Sequence, residues 1–169
     1  PNTVPATDSV AILELVKAKA KAEGVVNVLP SAAISKGRLG TELTEIGELA
    51  KAGAVLLTGD GDPVMNAELM RRALEYAGMF NLTVMDHCQD YALVGKGVMH
   101  EGYWSTVLGL PGWPALGEEI IVSRNGQLAE LTGTSIHCQH LSSGGSVRIL
   151  RDARSRGTLD TLGIELAAG

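Results

Sequence analysis

Carboxylates, imidazoles and thiols cluster at three points of this sequence: Thr58-Gly59-Asp60-Gly61-Asp62, Asp86-His87-Cys88 and His137-Cys138-Gln139-His140. Carboxylate oxygen and neutral imidazole nitrogen are good zinc ligands, and two His with one carboxylate and a water form a common catalytic zinc set. Each cluster comes after a short apolar run, so each falls at the end of an expected strand. Neighbouring parallel strands lie roughly 5 Å apart, so side chains from three consecutive strand ends can converge on one ion. Plainer readings stand beside this one. A His at a strand end can simply be a hydrogen-bonded structural residue. Asp60-Gly61-Asp62-Pro63 has the composition of a turn, and it lacks the Glu that closes a calcium loop at its twelfth position. Cys88 and Cys138 suit small buried hydrophobes better than nucleophiles.

Side-chain alternation along a strand sets which of these residues can meet. With His140 facing the inside of a barrel, Cys138 shares that face and His137 points to the outer helices. On the preceding strand His87 then faces inward with Met85 and Thr83, while Asp86 and Cys88 face away. The two thiols are therefore expected on opposite sides of the sheet, which disfavours a structural Cys₂His₂ zinc site.

Helical and extended segments alternate along the chain. Thr7 or Asp8 can cap a helix with Ile12, Leu13, Val16 and Ala20 on one side and Gly24 at its end. The run Val25-Val26-Asn27-Val28-Leu29 reads as a strand stopped by Pro30, with a helix over about 42–52 after it. Ala54-Val55-Leu56-Leu57 is the next strand. Asn66 caps a long helix with Leu69, Ala73, Ala77 and Phe80 on one side, and Leu82-Thr83-Val84-Met85 comes next as a strand. Residues 91–114, with five Gly and both Trp, read as one long functional or covering loop. A helix from about Pro114 to Leu131 is closed by Gly133, and Ser135-Ile136-His137-Cys138 is a strand. A helix with Val147 and Leu150 inward and a weak strand over 162–166 complete the pattern.

Strands separated by helices pair in parallel. The fold class is α/β, and a doubly wound sheet and a (β/α)₈ barrel both fit; in each, chemistry gathers at the strand ends. A full barrel takes about 250 residues, so the 169 residues here would form part of one. No linker or low-complexity tract divides residues 1–169, which read as a single domain. A partial barrel leaves open strand edges, so a homo-oligomer or a complementing fragment is expected.

Composition narrows the function further. With 14 Lys+Arg against 19 Asp+Glu the formal charge is −5, the wrong sign for a dedicated nucleic-acid binder. Hydrophobic residues make up 45 % and charged residues 20 %, which excludes a disordered tail. No apolar run reaches the roughly 20 residues of a membrane span, and the first residues do not resemble a signal peptide. Two Cys are too few for a disulfide scaffold. The expectation is a cytoplasmic protein acting on a small molecule, without nucleic acid or membrane partners.

The sequence resembles the bacterial-type dihydroorotases, metal-dependent cyclic amidohydrolases, from Pro1 to about Gly157. The resemblance is carried by Pro1-Asn2-Thr3, Gly59-Asp60-Gly61 with Pro63-Val64-Met65, and Met70-Arg71-Arg72-Ala73-Leu74-Glu75-Tyr76-Ala77. It continues through His87-Cys88-Gln89-Asp90, Glu101-Gly102, Leu108-Gly109-Leu110-Pro111-Gly112 and His140-Leu141-Ser142. It implies an amidohydrolase-type (β/α) TIM barrel, here partial, spanning about the second to the seventh strand. Asp60, His87 and His140 match ligands after the fourth, fifth and sixth strands, and Asn2 matches a residue that contacts the substrate carboxylate. The family holds one or two zinc ions; these ligands suffice for at most one. The implied reaction is the reversible closure of N-carbamoyl-L-aspartate to L-dihydroorotate in pyrimidine biosynthesis. The family's first-strand His-x-His and its eighth-strand general-base Asp fall outside the matched stretch, so no catalytic base is assigned and this segment alone is expected to be inactive. Gly59 stands where the family has Asp, Gln89 where it has Glu, and His100 where it has Asn. These departures motivate a second expectation, a non-catalytic structural subunit assembled with aspartate transcarbamoylase.

Overall fold

The computed structural model describes residues 1–156 and the backbone of 162–166. Its main sheet has five parallel strands, β1 (Ser31–Ala33), β2 (Leu56–Thr58), β3 (Thr83–Asp86), β6 (Ile136–Leu141) and β7 (Leu162–Leu166), which lie side by side in that order. Between them run α1 (Val10–Glu23, preceding β1), α2 (Ile46–Lys51), α3 (Ala67–Gly78), α6 (Leu116–Thr132) and α7 (Gly144–Ser155). The strand order never reverses, whereas a doubly wound sheet changes direction at a switch point. The sheet is therefore a length of barrel wall.

The pleat divides that wall into two faces. Ala32, Leu57, Val84 and Ile136 lie in register across four strands and are buried against Leu13, Ile46, Leu49, Met70, Leu74 and Ala129 of the helices. Each Val, Leu, Ile or Met among them contributes about 1.5–3 kcal/mol by leaving water. Thr58, Met85 and His137 form a row on the opposite face, which corresponds to the inside of the barrel. Asn66 caps α3 through its side-chain oxygen, which accepts from the amides of Glu68 and Leu69 at 2.9 and 3.0 Å. Gly133 ends α6 at φ 65°, a left-handed conformation glycine takes without strain.

Some boundaries differ from those the sequence predicts. Residues 25–29 form no strand: Val25 is 97 % and Val26 73 % exposed, and pairing begins only after Pro30. Apolar β-branched composition favours a strand only where a neighbour offers a pleated surface, and here the neighbour β2 pairs with Ser31–Ala33 instead. The segment 91–114 is not one loop. It holds the short helices α4 (Tyr91–Val94) and α5 (Tyr103–Leu108) and a parallel pair, β4 (Met99–His100) with β5 (Gly112–Trp113). Gly97 sits under this pair, where a Cβ would lie 2.7 Å from the Gly112 carbonyl oxygen. No helix among the described residues is long and apolar enough to cross a membrane.

Candidate functional site

The C-terminal ends of β2, β3 and β6 open on the same side of the wall. Continuing the Thr58–Met85–His137 row by two residues along each strand leads to Asp60, His87 and Gln139. His87 directly succeeds β3 and keeps its alternation, so its ring faces inward, as Met85 does. Asp86 and Cys88, on its two sides, are buried on the helix face.

β6 breaks the alternation. Its pairing with β7 shifts register between Cys138 and Leu141, and His140 has φ 34°, an uncommon conformation for a non-glycine residue. Such a bulge adds one residue and re-aims the side chains after it. Cys138 and Leu141, an odd number of residues apart, thus both pack on the helix side with Ile121, Val122 and Leu150, while His140 swings inward. This corrects the expected facing of β6: His137, not Cys138, occupies the inward row. It also corrects the expected separation of the thiols. Cys88 and Cys138 lie in the same buried cluster, and the neighbouring Cys138 thiol together with burial holds the Cys88 thiol well above its ordinary pKa.

The bulge brings the two imidazoles together. His87 Nδ1 and His140 Nε2 are 2.9 Å apart, with the rings edge-on at a centroid distance of 4.6 Å. His87 Nε2 is in a short hydrogen bond with Gln89 Oε1. Because that oxygen can only accept, Nε2 carries the proton and the Nδ1 lone pair points at His140. In the absence of a cation, His140 Nε2–H is the donor between the rings. Gln89, two residues beyond His87 and so on the same side of the extended chain, is a site residue that motif comparison marks only as a departure from Glu. Its carbonyl oxygen fills the orienting role that such a carboxylate fills for many metal-bound histidines.

Asp60 behaves differently. It too has a positive φ, 44°, but here the chain turns out of the strand line. Arg38 holds this turn: its Nε donates to the Gly59 carbonyl at 2.9 Å, its Nη2 donates to the Asp60 carbonyl, and it pairs with Asp62. Asp60 is half-buried, and among the described residues no three His, Cys, Asp or Glu side chains are grouped closely enough to hold a metal. The structure therefore brings together two of the three expected ligands and leaves the third on the neighbouring strand end. Asn2 is exposed.

The donor chemistry of the imidazole pair fits zinc. Tetrahedral ligands at 2.0–2.1 Å stand about 3.3 Å apart, so the 2.9 Å pair would open by only a few tenths of an ångström.

Parallel strands in unreversed order, joined through helices, place the chain in the class of (β/α) barrel folds, here as part of a barrel wall. Solved structures agree on the fold. The L-hydantoinase of Arthrobacter aurescens superposes with a TM-score of 0.76 at 17 % identity, over 98 % of this chain and 38 % of its own. The D-hydantoinase of a Thermus species gives 0.67 at 22 % identity, over 94 % and 36 %. The family model described as dihydro-orotase-like matches residues 1–146. The chain belongs to that family. The dihydroorotases of Pelotomaculum thermopropionicum and Acetivibrio thermocellus are each 52 % identical over 157 residues, or 93 % of this chain. The chain spans 36 % and 37 % of the length of these two relatives.

Proposed function

We propose that this chain carries the central part of the active site of a dihydroorotase-like cyclic amidohydrolase, acting on a small-molecule substrate in pyrimidine biosynthesis. The reaction is the reversible, zinc-dependent interconversion of N-carbamoyl-L-aspartate and L-dihydroorotate. The observation that carries the reading is the His87–His140 pair, 2.9 Å apart at adjacent strand ends, within a chain matched by the dihydro-orotase-like model.

His87 through Nδ1 and His140 through Nε2 would hold the ion, with Asp60 as third ligand once its turn moves toward the pair. When bound, zinc supplies Lewis acidity toward a cyclic amide carbonyl and toward water. The chain's own residues prepare that position. Gln89 holds the His87 proton on Nε2, which leaves Nδ1 free to bind a cation, and the bulge at His140 aims the second ring at the same point. Asn2 orients the substrate carboxylate. General-base chemistry is assigned to no residue of this chain, so turnover by these 169 residues alone is expected to be negligible.

The test is titration of the metal-free chain with Zn²⁺ by calorimetry, in wild type and in His87→Ala and His140→Ala. One ion bound by wild type and lost in both variants is expected; unchanged affinity in both refutes the assignment. A second reading, a non-catalytic subunit assembled with aspartate transcarbamoylase, is motivated by Gly59 and Gln89 standing where the resembled family has Asp and Glu. It requires a chain that stays metal-free in excess zinc and co-purifies with that enzyme.

A further inference from the structure

Helix α6 holds the chain next to both imidazoles. At its N-terminal end Glu118 accepts four hydrogen bonds, three from the turn just after His140 and one from the first turn of α7. Its Oε2 accepts from the Ser142 amide at 2.9 Å and the Ser142 hydroxyl at 2.7 Å. Its Oε1 accepts from the Ser143 amide at 3.0 Å and the Ser146 hydroxyl at 2.6 Å. Seven residues on, two turns later on the same helix face, Asn125 is wholly buried. Its Nδ2 donates to Asp86 Oδ2 at 2.6 Å and approaches Cys88 Sγ at 3.6 Å, so it grips the residues on both sides of His87.

We infer that α6 is the brace that sets the His87–His140 separation, and that Glu118 is a positioning residue acting on His140 through the Ser142–Ser143 turn. His140 sits in a bulge with φ 34°, a conformation that persists only where surrounding contacts over-determine it. Strand pairing skips that point and resumes only at Leu141, so the ladder alone does not fix His140. Two backbone amides and two hydroxyls converging on one carboxylate do. A serine-rich turn without this acceptor would leave the imidazole free to leave its partner.

The inference rests on the imidazole pair being the working part of the site, and two separate readouts keep the two claims apart. In the metal-free full chain, nitrogen NMR of the His87 and His140 rings reports which nitrogens carry protons and whether Nδ1 and Nε2 share one. Glu118→Gln replaces one acceptor oxygen by a donor facing donors. It is expected to abolish the shared-proton signature. Leu74→Ala, a core truncation far from the pair, is expected to destabilise the fold while leaving the signature intact. Ser142→Ala, which removes one of the four bonds, is expected to weaken the signature without unfolding the chain, and it decides the matter if Glu118→Gln does not fold. Retention of the wild-type signature in Glu118→Gln, or in Ser142→Ala in that event, overturns the inference. Cobalt(II) titration monitored by its visible absorption tests the metal reading: Glu118→Gln should weaken binding by about 10–100-fold, the usual effect of losing an outer-shell partner. A wild-type chain that binds no cobalt refutes the metal assignment, and the ring-proton signature still decides the role of Glu118.

Discussion

Replacing Asn125 by Ala should cost far more than an average substitution. Asp86 is wholly buried; its Oδ2 accepts a 2.6 Å hydrogen bond from Asn125 and only a long 3.4 Å contact from Arg124, and its Oδ1 has no hydrogen-bond partner among the described residues. A hydrogen bond to a charged group contributes about 1.5–3 kcal/mol. Stripping a buried charge of its partner costs about 3–5 kcal/mol. Arg124 remains, anchored by donating to the Val64 carbonyl at 2.8 Å, so the loss should be about 3 kcal/mol, a compromise between those ranges. For a chain of this size that lowers Tm by roughly 6–12 °C, read by calorimetry and urea unfolding at neutral pH. The cost should also depend on pH. Burial pushes the Asp86 carboxyl above its ordinary pKa, and the Asn125 bond and the Arg124 charge pull it back down. A carboxyl raised in the folded state contributes stability that is fully present below its unfolded pKa of about 3.9 and is lost as pH rises through the folded value. Without Asn125 the folded value rises further, so the gap between variant and wild type should narrow as the solution is acidified. Adding Asp86→Asn to the variant should recover most of the loss, because the buried charge is gone. A cost under about 1 kcal/mol, or one indifferent to pH and to Asp86→Asn, would refute the account of this network.

Gln89→Leu frees the His87 tautomer, and cobalt affinity should drop by about 10–100-fold with the circular dichroism unchanged. Gly97→Ala places a methyl group against the Gly112 backbone and the Trp113 Cβ at 2.7 and 2.9 Å. It should cost about 1–3 kcal/mol and raise amide exchange in 97–113 ahead of the main sheet. Cys88 and Cys138, both free and buried, should react with a thiol reagent only at the rate of unfolding, so labelling should accelerate with urea; fast labelling of the native chain would contradict their placement.

Much of the fold is legible in the sequence because it obeys local rules. Asn66 before an apolar period of 3.6, Gly133 at a helix end and runs such as Thr83-Val84-Met85 report backbone preferences that neighbouring residues alone decide. Where the rule needs a partner it fails: Val25-Val26-Asn27-Val28-Leu29 has strand composition, but nothing in the chain order says that β2 would pair six residues later. Gln89 stands out only as a replaced Glu, since its value lies in which ring nitrogen it meets. Glu118, Asn125 and Arg38 carry no motif, because each is defined by partners distant in sequence.

The amino-acid order by itself determined the alternation of parallel strands with helices and the presence of imidazoles and a carboxylate where three strands end. Only the tertiary structure decided which of them face each other. Period-two counting holds as long as the ladder is regular, and one extra residue at positive φ reverses it. At His140 that reversal turns a ring toward its partner; at Asp60 a similar turn leads away. Neither outcome is written in the local sequence, since each depends on what grips the turn from across the fold.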